Sequence, residues 1–134
     1  MKKKIYYKRR KFERYDEKHF IVYLNEKVIP DYTETDDSGN KTKPMVAYEY
    51  EGTENDGGTI ISCQEATRDN FVDALIRCRY SLSQENAIKT HRLQLIGQEV
   101  PTPLKQDEYG NEWAEFNQWR EKSKAIVDSW FKEE

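Results

Sequence analysis

The sequence predicts an α+β fold: an N-terminal antiparallel β-sheet of about four strands, packed by C-terminal helices. Three observations predict it. β-branched and aromatic runs fill residues 1–65, apolar residues recur at three-four spacing from residue 66 on, and the links between the early runs are too short for the crossovers that parallel strands need. At 134 residues the chain fits one domain. A domain of this size buries roughly two-thirds of its unfolded surface and needs no disulfide or metal to fold.

Lys4-Ile5-Tyr6-Tyr7 reads as a strand. His19 to Leu24 is apolar and β-branched, Asn25-Glu26 follows, and Lys27-Val28-Ile29 resumes the pattern, which predicts two strands around a tight turn with Pro30 ending the second or confining it to an edge. Thr33 to Lys43 is polar throughout and predicts a mobile loop. Met45 to Tyr50 is a strand whose Val46, Tyr48 and Tyr50 share a face by the period of two. Gly52 to Gly58 supplies a turn, and Thr59 to Cys63 is read as the return strand of a hairpin.

The periodicity then becomes helical. Thr67 is an N-cap, Asp69 lies in the first turn where the helix dipole favours it, and Phe71, Leu75 and Cys78 recur on one face. Ser81 with Gln84 forms a capping box for a second helix, whose apolar positions include Ala87, Ile88, Leu95 and Ile96 and whose stop is Gly97. Pro101 and Pro103 predict a loop over 98–110. A last helix from about Asn111 carries Trp113, Phe116, Trp119, Ser123, Ile126 and Trp130 as a narrow aromatic stripe.

Only 36% of residues are hydrophobic and 35% are charged, so aromatics, 13% of the chain, must supply much of the buried area. The net charge of −3 argues against nucleic acid as the partner, since phosphate recognition uses a strongly basic face. Basic residues nevertheless crowd the N-terminus. They read as an exposed edge with gatekeeping lysines, or as a phosphate-binding arm in which Lys8, Arg9, Arg10 and Lys11 meet the backbone. Cys63 and Cys78 are expected as free, buried thiols, without a zinc-ligand spacing around them. No apolar run resembles a secretory signal or a membrane span, which predicts a cytoplasmic protein.

The motifs carry little catalytic chemistry. His19 and His91 are the two histidines, and neither lies in a nucleophile context; a hydrolase would need a pocket gathering His91 or Cys78 with carboxylates. Asp56-Gly57-Gly58 has the glycines of a phosphate loop but lacks the lysine-serine pair and the helix, so it reads as a turn needing positive φ. Asp36, Ser38 and Asn40 alternate like the start of a calcium loop without its sixth-position glycine or distal glutamate. No cofactor is expected. The aromatic stripe is either core or a partner surface; in the second case Phe116, Trp119 and Trp130, with Tyr48 and Tyr50 on the sheet, are the candidate interface.

The run Tyr48 to Ile88, YEYEGTENDGGTIISCQEATRDNFVDALIRCRYSLSQENAI, followed by EFNQWREKSKAI at Glu115 to Ile126, resembles small proteins of phage and prophage gene clusters placed near tail or tail-fibre genes. The likeness rests on the EGT-x-x-DGGT turn, the helix leading into RYS and the aromatic C-terminal helix, and it covers under half of the chain. It implies a non-enzymatic accessory, tail-associated or assembly role. Protein partners such as tail components, and homo-oligomers, are then expected, in the host cytoplasm or the virion.

Overall fold

The computed structural model describes residues 1–132. Six strands precede three helices among them: β1 (Lys2–Tyr6), β2 (Phe12–Asp16), β3 (His19–Val22), β4 (Lys27–Tyr32), β5 (Met45–Gly52), β6 (Thr59–Ser62), α1 (Arg68–Arg77), α2 (Leu82–Ile96) and α3 (Pro103–Phe131). The fold class is α+β, as the periodicities predict. The chain divides into two compact units, Met1–Gln64 carrying the strands and Glu65–Glu134 carrying the helices.

The strands form two three-stranded antiparallel sheets, ordered β1-β5-β4 and β2-β3-β6, rather than one sheet of about four. Both hairpins expected from sequence are therefore corrected. The segments on either side of Asn25-Glu26 do not pair with each other: β3 pairs with β2 and β6, while β4 pairs with β5. Asn25 has the φ of 57° typical of a tight turn, but there the chain passes from one sheet to the other. In the same way β5 and β6 flank a turn yet belong to different sheets. The hairpins that do form join β4 to β5 across the loop over 33–43, and β2 to β3, in the register Phe12 to Val22 and Arg14 to Phe20. Asp16 Oδ1 fixes the β2–β3 turn by accepting hydrogen bonds from Lys18 N–H and His19 Nδ1, both at 2.8 Å. Together they hold the Asp16 carboxyl below the usual range.

The loop over 33–43 is organised more than its composition predicts. Asp36 Oδ1 accepts from the amides of Ser38 and Asn40, Gly39 takes φ 83°, and Thr35 bridges Lys41. These are the bonds of a local Asx turn.

In the helical unit the caps of α1 and α2 are as predicted: Thr67 accepts from Asn70 N–H, and Ser81 and Gln84 complete a reciprocal box. The start of α3 is corrected from about Asn111 to Pro103. Proline is tolerated at the first helical position, where its missing N–H has no intrahelical partner anyway, so Pro103 opens the helix it was expected to exclude. Helix α3 packs along both α1 and α2. Only Cys63 is buried; Cys78, expected to be buried, is exposed at the C-cap of α1, just past the buried residues Ala74, Leu75 and Ile76. No helix among the described residues is long and apolar enough to cross a membrane.

Candidate functional site

The core of the strand unit is a tyrosine cluster. Ile21, Tyr23 and Tyr50 are buried, and Tyr6, Tyr48 and Ile60 pack against them. The rings of Tyr6 and Tyr23 meet edge-on at 6.1 Å and those of Tyr23 and Tyr50 at 5.6 Å, so β1 and β5 of one sheet are tied to the residue that follows β3 in the other. Large aromatics with polar tips suit this position, because their hydroxyls reach partners at the cluster's edge.

Asp56 is one such partner. Tyr6 Oη donates to its carbonyl at 2.6 Å, Tyr23 Oη donates to Oδ2 at 2.8 Å, and Gly58 N–H donates to Oδ1 at 3.0 Å. Gly57 has φ 81°, and an added Cβ there would lie 2.8 Å from the Tyr50 carbonyl oxygen. The Asp56-Gly57-Gly58 segment is thus a turn bound to its own tyrosines, and its Gly58 N–H is spent on Asp56. Burial first, then the bond to Asp56, pushes the Tyr23 phenol up to about 12; burial, with Glu26 nearby, does the same for Tyr50.

The N-terminal arginines are drawn into this cluster. The Arg10 guanidinium lies 4.7 Å from the Tyr6 ring centre and 4.6 Å from that of Tyr23, and it donates to Tyr23 Oη at 3.0 Å and Glu13 Oε1 at 2.6 Å. Arg9 Nε donates to Glu26 Oε1 at 2.7 Å, and the same carboxylate oxygen accepts from Tyr50 Oη at 3.1 Å. Lys8 is exposed and Lys11 half-buried. Of the four candidate phosphate contacts, the two arginines are therefore occupied within their own unit.

Four of the five candidate interface aromatics are corrected to core. Tyr50 is 1% exposed, and Phe116, Trp119 and Trp130 are likewise buried. Trp119 Nε1–H donates to the Leu75 carbonyl at 2.9 Å, Trp130 meets Phe71 edge-on at 5.5 Å, and Phe116 meets Tyr80 at 5.1 Å. The physical reason is that α3 serves two neighbouring helices, so its stripe is consumed within the helical unit.

Tyr48 differs. It is half-buried, its strand neighbours are Tyr6 on β1 and Val28 on β4, and the Arg9 guanidinium lies 5.5 Å from its ring centre. Along β5 the shared face runs from exposed Val46 through Tyr48 to buried Tyr50. Val28, Met45 and Val46 are 49%, 52% and 47% exposed. Val28, Val46 and Tyr48 together make an apolar centre, and the Arg9–Glu26 pair gives it a charged rim. Composition pointed to the tyrosines, but which of them stays at the surface depends on strand pairing between distant segments.

Each histidine has a carboxylate partner. His19 Nδ1 is 2.8 Å from Asp16, in the β2–β3 turn. His91 Nδ1 is 2.9 Å from Glu112 Oε2, and its ring stacks on Tyr109 at 3.9 Å, which fastens α2 to α3. Cys78 lies at the other end of the helical order, on α1. Among the described residues no group of three or more His, Cys, Asp or Glu could hold a metal ion.

No protein-family model matches the chain, and neither a curated protein nor a solved structure matches it.

Proposed function

We propose that the chain is a non-catalytic protein-interaction module, an accessory or assembly protein of the kind the phage-tail resemblance implies, acting in the cytoplasm or in a virion. Its contact surface is the face of β4 and β5 centred on Tyr48. One observation carries the reading: Val28 and Val46 place apolar area at the surface beside half-buried Tyr48, which itself packs against the tyrosine cluster. A rigid apolar centre with a charged rim binds at low ordering cost.

The free strand edges favour a face contact over strand addition. Edge strand β1 carries Lys2, Lys3 and Lys4, and edge strand β4 carries Pro30, two devices that discourage a further strand. The alternative of a nucleic-acid-binding arm has less support, because Arg9 and Arg10 are committed to Glu26, Glu13 and two tyrosine rings.

The test is affinity capture from the native cells with the wild-type chain and a Val28→Asp, Val46→Asp variant. A protein retained by the wild type and lost from a variant of unchanged melting temperature supports the surface. Equal retention by both moves the contact elsewhere.

A further inference from the structure

Helix α2 has a second, unused apolar side. Its inward residues are accounted for: Ile88 is buried, His91 reaches Glu112 and Arg92 lies over Trp113, all toward α3. Leu82, Leu93 and Ile96 are instead 59%, 68% and 65% exposed. They belong to one line of the helix, Leu82, Asn86, Lys89, Leu93 and Ile96, spaced four, three, four and three. That spacing keeps a stripe on one side of an α-helix and is the seam of a coiled coil.

The order of residue types within the stripe identifies what fits it. Leu82, Asn86, Lys89 and Leu93 read apolar, polar, polar, apolar in either direction, and the four-three-four spacing is also the same in both. We propose that α2 is the contact between two copies of this chain, packed antiparallel about a two-fold axis. In this register Leu82 of one copy meets Leu93 of the other, and Asn86 meets Lys89. The Asn86 side-chain carbonyl can accept from the opposing Lys89 ammonium, so each polar residue on the seam finds a partner and no apolar residue faces a charge. Lys89 stays neutralised by Glu85 Oε2 of its own copy at 2.7 Å, and Arg77 holds the other oxygen of Glu85 at 2.6 Å. Ile96 extends the apolar line past the opposing Leu82. A contact repeated by two-fold symmetry needs a self-complementary patch, and this stripe is one. A single polar pair within a seam also fixes register, since a one-layer slip would set either Asn86 or Lys89 against leucine and the other against its own copy. The inference goes beyond the proposed sheet-face contact, and either can fail without the other.

The experiment is sedimentation equilibrium on the full chain over a wide concentration range, with Leu93→Lys as the variant. Leu93 is largely exposed, so its replacement leaves the fold intact, and circular dichroism verifies this. The expected result is a concentration-dependent dimer for the wild type and a folded monomer for Leu93→Lys. Direction is read by oxidising Leu82→Cys and Leu93→Cys proteins, each in a Cys78→Ser background: the mixture gives a crossed disulfide dimer, and either protein alone gives little. A wild type that is monomeric at every soluble concentration overturns the proposal, as does a dimer that survives Leu93→Lys. Efficient self-crosslinking of Leu82→Cys alone overturns the antiparallel arrangement.

Discussion

Trp119 joins α3 to α1 by packing and by one hydrogen bond, and the two contributions separate by substitution. Trp119→Phe removes the indole donor to the Leu75 carbonyl and costs about 1–3 kcal/mol in urea unfolding. Trp119→Ala also leaves a cavity and costs about 3–5 kcal/mol. Tyr23 and Tyr50 make a prediction in pH. Their phenols, ordinarily near 10.0, are pushed up to about 12 in the folded chain, chiefly by burial. The folded state therefore favours the protonated phenol. Their contribution to stability is complete below pH 10 and is lost as pH rises toward 12. Thermal melts across that window should fall steeply for the wild type and less steeply for Tyr23→Phe. An alkaline limb unchanged in Tyr23→Phe would show that the cluster does not carry it. At this scale the sequence was partly legible. Nine tyrosines and three tryptophans announced an aromatic core. Burial of Tyr50 beside exposure of Val46 was not announced, because both share one strand face and only tertiary contacts grade them.

Among the elements, helices were read better than strands. A cap is local, so Thr67 and the Ser81–Gln84 box could be found within four residues of sequence. Strand partners are chosen across the chain. The short links at Asn25 and at Gly52 to Gly58 look like hairpins until both sheets are seen, and β2, with its charged Phe12-Glu13-Arg14-Tyr15-Asp16 sequence, lacks an apolar signal. Glycines test the corrected elements. Gly110 lies inside α3, where an added Cβ meets nothing within 4 Å, so Gly110→Ala should stabilise the chain by about 0.5–1 kcal/mol. Gly57→Ala should destabilise it, since φ is 81° and the Tyr50 carbonyl oxygen stands 2.8 Å from the new carbon. A destabilising Gly110→Ala in chemical denaturation would argue for the loop first expected over 98–110.

For the molecule as a whole, the balance of charge bears on partners. The net charge is −3, and the arginines of the basic segment are held by Glu13 and Glu26. The intact chain should pass through a phosphate-bearing column at low salt, and retention that weakens steeply with added salt would revive the nucleic-acid reading. The two proposed contacts are the α2 stripe, for a second copy, and the Tyr48 face, for a different protein.

The measurement that bears most directly on the proposed function is site-specific photocrosslinking in the native cells, with the reactive residue at position 46 and, as a control, at exposed position 122. A discrete adduct from position 46 that is absent from position 122 and disappears on Val28→Asp is the predicted result. Adducts only from position 122, or an adduct from position 46 indifferent to Val28, would contradict a contact centred on Tyr48.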